Sequence, residues 1–238
     1  MSVASAQRSS RRRTPRTRGS RRKPVLWTLA VLILVVALVC VAWFTPVLSV
    51  RKITVSGLGQ VTEEQVLESL DITKGTPLLR VDTDAAAKRV AQLPKVAEVR
   101  VERHYPSSVR VFVTERKPAV FFDSPQGTHL VDALGVDYAI EPPPPGVPRL
   151  KVDKPAFDDP STQAALAVLA ATPGPLRVQV GEVVATSISA ISLTLLDGRV
   201  IVWGSKENSE RKAAIALPLL GQPGRTYDVS SPDLPTVR

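Results

Sequence analysis

The chain is poorest in the residues that do chemistry. Its 238 residues include one cysteine, Cys40, and two histidines, His104 and His129. No cysteine follows Cys40, so disulfides cannot staple the remainder, which must rely on packing. Metal ligands at usable spacing are missing: there is no Cys-x-x-Cys and no His-x-x-x-His. A Gly-x-Ser-x-Gly elbow is missing too, and Ser124 stands beside Pro125 in a turn. Gly57-Leu58-Gly59 lacks the third glycine of a dinucleotide loop and precedes a helix that opens with two acids, which would repel pyrophosphate. His104 ends a charged strand and His129 begins a short one, and both read as ordinary strand residues. Asp158-Asp159, next to Pro160 and Ser161, reads as a helix N-terminal cap. Glu98, Arg100 and Glu102 alternate in sign and read as a solvated strand face. Catalysis needs polar groups converging on one substrate atom. The residues predict no catalytic, cofactor-binding or metal site and no small-molecule substrate, which excludes an enzyme.

Acids are missing from residues 1–24, where nine basic side chains sit (Arg8, Arg11, Arg12, Arg13, Arg16, Arg18, Arg21, Arg22 and Lys23). Removing those nine from 31 Lys and Arg leaves 22, against 22 acids, so the net charge of +9 belongs to this tail. A basic groove for nucleic acid is therefore not expected on the folded part. The Ser/Thr/Arg-rich tail predicts disorder. Charge of either sign is then missing from Val25 to Phe44. At a helical rise of about 1.5 Å per residue this run spans about 30 Å, the thickness of a hydrocarbon core. Trp27 and Trp43 lie near its ends, where indoles favour the headgroup region. The expectation is a transmembrane helix over 25–45 with a cytoplasmic N-terminus and everything beyond exported. Each tail arginine would add about 1 kcal/mol of attraction to anionic lipid. A cleaved signal peptide fits less well, because the run exceeds the usual apolar region of about 7–15 residues. A lipoprotein site at Cys40 would need a small residue where bulky Val39 stands.

The exported part opens with an alternation of short elements. Val50 to Val55 reads as a strand closed by Gly57-Leu58-Gly59. Thr62 and Gln65 make a capping box and Val61 can staple to Val66, so a helix starts at Thr62. Asp82 or Thr83 caps a second helix, with Ala86, Val90 and Leu93 inward and a stop at Pro94. Two strands follow, Val96 to Arg103 with Ala97, Val99 and Val101 on one face, and Ser108 to Glu115 with Val109, Val111 and Val113. Period two with one apolar face fits a sheet covered on one side, and Tyr105-Pro106-Ser107 is the turn between them. The order β-α-α-β-β predicts three strands with two helices on one face. Beyond it, Val120 to Phe122, Thr128 to Val131 and Val136 to Ile140 read as short strands. Pro142 to Pro145 reads as a stiff loop, with a proline-recognition ligand as the alternative. A helix over Ser161 to Ala171 and strands at Arg177 to Val184, Ser187 to Leu196 and Arg199 to Trp203 follow, the last two joined at Asp197-Gly198. Ser205 would cap a helix to Leu220 with Ala213, Leu217 and Leu220 on one face. Arg225 to Val229 is the last strand.

The ordered set G-T-P-L-L-R-V-D, L-P-x-V, V-R-V-E-R-x-Y-P and E-R-x-P after a capped helix resembles a POTRA domain. A POTRA directly after one membrane helix is similar to the FtsQ/DivIB family of cell-division proteins, in its actinobacterial form with an arginine-rich tail. HLVDALGVDY, LLDGRVIVWG and TYDVSSPDLPTVR resemble the β domain that follows POTRA there. The fold expectation is thus α+β: a tail over 1–24, a single transmembrane helix, a POTRA domain over 48–118, and a mixed β-sheet domain with helices over 119–238.

The resemblance implies a non-enzymatic divisome scaffold in the cytoplasmic membrane, concentrated at the septum. It would bind FtsB and FtsL and, through them, support the peptidoglycan synthase FtsW–FtsI. In the family the principal contact is the last strand of the β domain. Carried to this chain, the edge is Thr226 to Val229, with Tyr227, Val229, Ser231, Leu234 and Val237 as partner contacts. Pro232 and Pro235 each remove a donor, so an added strand would pair only in part or on the other edge. Such capture is β-augmentation, in which an extended segment hydrogen-bonds to an unpaired sheet margin. The rival reading is a membrane-anchored POTRA chaperone for exported polypeptides.

Overall fold

The computed structural model describes residues 27–37 and 48–238. Residues 27–37 form an uncharged helix, α1, whose large apolar side chains are exposed along its length. The expected span over 25–45 lies partly outside the described residues, and the basic tail and Cys40 lie wholly outside them. Among the described residues no helix is long and apolar enough to cross a membrane.

The first module is a three-stranded sheet of β1 (Lys52–Ser56), β2 (Val96–His104) and β3 (Ser108–Glu115), in the order β1-β3-β2. β3 is central, parallel to β1 and antiparallel to β2. Helices α2 (Glu63–Leu70) and α3 (Thr83–Val90) bury Val66, Leu70, Ala86 and Val90 in one cluster with Val109, Val111 and Val113. The capping box forms as the spacing predicts: Gln65 N–H donates to Thr62 Oγ1 at 3.3 Å and Thr62 N–H to Gln65 Oε1 at 3.1 Å. Such a cap is worth about 1 kcal/mol. Asp82 caps α3 by accepting from Asp84 and Ala85 N–H. Gly57 ends β1 at φ +86°, and a Cβ there would lie 2.0 Å from the Val113 carbonyl oxygen, so only glycine fits. One inward residue differs from expectation. A register shift between Val96 and Glu98 leaves Ala97 exposed and puts Val96 in the core.

The second module is a mixed nine-stranded sheet. Its strands are β4 (Pro118–Ser124), β5 (Gly127–Asp132), β6 (Asp137–Ile140), β7 (Arg149–Lys151), β8 (Val180–Ser187), β9 (Ala190–Leu195), β10 (Val200–Gly204), β11 (Thr226–Asp228) and β12 (Thr236–Val237). They run β12-β11-β10-β9-β8-β7-β4-β5-β6. Helices α4 (Pro160–Ala171), α5 (Gly174–Arg177) and α6 (Ser209–Leu219) accompany it. Leu166 and Val168 of α4 and Ala213 and Ala216 of α6 share one core with Leu193, Ile201, Trp203 and Tyr227. Burying each large apolar side chain contributes about 1.5–3 kcal/mol. The Asp197-Gly198 turn forms with Gly198 at φ +86°, the left-handed conformation a tight hairpin needs.

Four expectations are corrected here. Strand β8 starts at Val180, not Arg177, because residues 174–177 coil as α5 and bury Leu176. Arg177 instead caps α4, donating to the Ala170 and Thr172 carbonyls at 2.8 and 2.7 Å. Helix α6 starts at Ser209, not after Ser205. Trp203 Nε1–H donates to Ser209 Oγ at 3.0 Å, and Ser209 donates to Lys206 O at 2.7 Å, so residues 205–208 are drawn into a turn. The inward face of α6 is Lys212, Ala213, Ala216 and Leu219, whereas Leu217 is exposed. Finally, β7 and β12 are strands that periodicity did not mark, and β12 changes the site.

Candidate partner-binding site

Thr226 to Val229 is not the margin of the sheet. β11 pairs in parallel with β10 (Val200↔Thr226, Ile201↔Tyr227, Val202↔Asp228) and antiparallel with β12 (Tyr227↔Val237, Asp228↔Thr236). Val229 N–H donates to Val202 O at 3.0 Å. Tyr227 is 1% exposed and Val229 0%. The Tyr227 hydroxyl is shared between the carbonyls of Gln222 (2.8 Å) and Gly224 (2.9 Å), and the Arg199 guanidinium lies 5.8 Å from the ring centre. These two side chains therefore build the floor of the site, and the expectation that they touch a partner is corrected. A Tyr-x-Val alternation with the hydroxyl satisfied internally is a core pattern, and both apolar residues fall on the buried face.

The remaining three are placed differently. Ser231 is exposed, Leu234 is 79% exposed, and Val237 is half-buried against the core. Pro232 lies in the loop that turns the chain back to β12, with Leu234 N–H donating to Ser231 O at 3.0 Å. Arg211 pairs with Asp233 beside it. Arg238 and Thr226 exchange both backbone bonds, at 2.8 and 2.9 Å. In an antiparallel ladder the next residue then turns its N–H and C=O away, so the Val237 amide and carbonyl face outward. Pro235, two residues earlier on the same side, offers a carbonyl and no donor. The open margin is thus short: one donor at Val237, two acceptors, and an exposed leucine beside them.

At the other end of the sheet the two modules are clasped. Arg116 Nη1 meets Asp132 Oδ2 at 2.5 Å with the side chains 16% and 7% exposed, and Arg116 Nε donates to Pro94 O at 3.1 Å. Asp132 Oδ1 accepts from Leu134 and Val136 N–H, both at 2.9 Å, which fixes the β5–β6 turn. Lys95 Nζ donates to Glu141 at 2.8 Å and to Gln60 Oε1 at 2.9 Å. Glu115 accepts from Gly59, Gln60 and Val61 N–H at 2.7–3.0 Å. Partial burial opposes its ionised form, but those amides and nearby Lys95 outweigh it and hold the carboxyl below its ordinary value. In the sequence E-R-x-P is legible only as a motif, and its mechanical role is not. Two charged residues where the first sheet ends were the available signal.

His104 is exposed at the end of β2. His129 stacks on Phe122 with ring centres 4.7 Å apart, and its Nδ1 lies 2.6 Å from Asp137 Oδ2. Among the described residues no group of three or more His, Cys, Asp or Glu could hold a metal.

A three-stranded β-α-α-β-β module joined to a larger mixed sheet with an open margin defines a POTRA-bearing protein. Residues 48–116 match the family model described as POTRA domain, FtsQ-type. The chain is 45% identical over 249 residues to the cell division protein FtsQ of Mycolicibacterium smegmatis, covering 100% of this chain and 75% of that protein. It is 51% identical over 214 residues to FtsQ of Mycobacteroides abscessus, covering 90% and 69%. With FtsQ of Corynebacterium glutamicum it shares 37% over 214 residues, covering 87% and 95%. The chain belongs to the FtsQ family of cell division proteins.

Proposed function

We propose that this chain is a non-enzymatic scaffold of the divisome that holds FtsB- and FtsL-type partners at a sheet margin and through them supports septal synthesis by FtsW and FtsI. A membrane helix over 25–45 anchors it in the cytoplasmic membrane with the N-terminus inside, the basic tail on anionic lipid and both sheets outside. The outward-facing apolar side chains of α1 favour lipid around them. Anchoring confines scaffold and partners to one plane and raises their effective concentration.

The observation that carries the reading is the outward-facing Val237 backbone beside exposed Leu234. A partner strand laid along β12 gains register from the backbone and an apolar contact from Leu234, with Ser231 at the rim. The test is capture of the FtsB–FtsL pair from the same organism by the full chain in detergent. Val237→Pro removes the outward donor while sparing the bonds to β11, and Leu234→Asp removes the apolar contact. Each is expected to weaken capture about tenfold, the equivalent of about 1.4 kcal/mol. Capture unchanged in both variants would eliminate β12 as the contact. A fluorescent fusion spread evenly over the membrane in cells with normal septa would reject the divisome reading itself.

A further inference from the structure

The opposite end of the nine-stranded sheet is also open. β6 pairs with β5 alone, and no other strand lies along its far side among the described residues. This margin differs from β12 in what it faces. It borders a cleft of about 400 Å³ between the two modules, with Gln60, Gln65 and Lys95 on one wall and Ile140 and Glu141 on the other. Glu141 N–H donates inward to Thr128 O at 3.0 Å, so the preceding residue, Ile140, turns its backbone N–H and C=O into the cleft. The Ile140 side chain is itself exposed. A register shift in β6 at Tyr138 breaks the run of outward groups, so backbone pairing there is short and the walls must supply the remaining recognition.

The walls have a definite polarity. Gln60 Oε1 already accepts from Lys95, and Gln65 Oε1 already accepts from Thr62 N–H. What both carboxamides have left is their NH2 groups, which make no hydrogen bond among the described residues. On the opposite wall, Glu141 Oε2 is engaged by Lys95 at 2.8 Å. On the Gln60–Gln65 wall the unspent side-chain hydrogen-bonding capacity is therefore donor capacity, next to the Lys95 cation.

We propose that this cleft receives an extended acidic segment of another polypeptide. Its backbone pairs with Ile140, and its carboxylates accept from the NH2 groups of Gln60 and Gln65 and from the Lys95 ammonium. Charge-assisted bonds of this kind are about twice as strong as neutral ones. The site is separate from β12 and does not depend on it.

The test uses the full chain in phosphatidylcholine nanodiscs at about 0.15 M salt, where long-range attraction to the arginine tail is screened. Three fluorescent eight-residue peptides serve as probes: alternating Val and Glu, alternating Val and Lys, and the Val–Glu peptide with alternate amides N-methylated. The Val–Glu peptide is expected to bind saturably, and the other two at least tenfold more weakly. Q60E/Q65E keeps both internal bonds, since a glutamate oxygen still accepts from Lys95 and from Thr62 N–H and suits a capping box. It replaces two donors with negative charge, and is expected to weaken Val–Glu binding at least tenfold. Val237→Pro, at the other margin, should leave binding unchanged. Equal binding by wild type and Q60E/Q65E would place the peptide elsewhere, the basic tail included, and overturn the proposal. So would equal binding of the acidic, basic and N-methylated peptides, absence of binding, or loss of binding in Val237→Pro.

Discussion

The two ends of the nine-stranded sheet are stabilised by different physics. Near β12 the sheet rests on apolar mass: Trp203 and Val229 are 0% exposed, and Tyr227 is 1%. Near β6 it is held to the first module by directional polar ties, Arg116–Asp132 and Lys95–Glu141, with His129–Asp137 bracing β5 against β6. Packing is non-directional and little affected by pH or salt, whereas charge pairs answer to both. A partner docked at β12 thus meets a floor set by volume, and one entering the cleft at β6 meets walls whose geometry is set by titratable groups.

The sharpest way to break this contrast is to hollow out the apolar end. Trp203→Ala removes a fully buried ring and the indole N–H bond to Ser209, and should cost about 4 kcal/mol. Amide hydrogen exchange would then rise in β9, β10 and β11 while β2 and β3 keep their protection, because the two cores are separate clusters. Uniform loss of protection in both sheets would show that the two modules unfold as one.

At the polar end the largest effect falls on Asp132. Its carboxylate takes Arg116 on one oxygen and two turn amides on the other, with the side chain 7% exposed. Asp132→Ala strands a largely buried guanidinium and frees the β5–β6 turn. The expected cost is about 3 kcal/mol, read from the urea midpoint of the chain in detergent.

How much of this was legible in the sequence differs between the ends. The first module announced itself, because each signal was local: Thr62 and Gln65 three apart, Asp82 before a helix, valines at 109, 111 and 113. Ala97 misled because a bulge shifts phase by one residue, and period-two reading cannot see it. In the second module β7 is the three-residue Arg149–Lys151, preceded by Pro148, and β12 is two residues long, so neither has a period to detect. Both form only because a neighbour offers backbone partners, which is a tertiary fact. That is why local pattern puts the margin at Thr226–Val229, one strand short of the β12 that covers it. The clasp at Arg116, Asp132, Lys95 and Glu141 joins residues from 16 to 46 positions apart, a separation no local pattern encodes.

A smaller effect separates charge from shape beside the clasp, within the first module. Glu115→Gln keeps the shape of the side chain but removes the charge that Gly59, Gln60 and Val61 amides converge on, and should cost about 1 kcal/mol at pH 7. The folded carboxyl titrates below its ordinary value, so its contribution is present above that ordinary value and is lost as pH falls through the lower folded one. The difference in urea midpoint between wild type and Glu115→Gln should therefore close as pH falls below the ordinary glutamate range. A gap that stays constant down to the lowest pH at which both proteins remain folded would assign the effect to packing.

The smallest effect is at the rim of the cleft. Lys95 and Glu141 are each about one-third exposed (33% and 32%), so solvent screens their attraction. Lys95→Ala should cost only about 0.5 kcal/mol in dilute buffer, and about 1 M salt should erase the difference from wild type by shrinking the screening length to about 3 Å. Trp203→Ala, by contrast, should cost as much in salt as without it. If Lys95→Ala remained destabilising at high salt, its alkyl stem would be carrying the contact, and the polar end of the sheet would be governed by the same packing as the other.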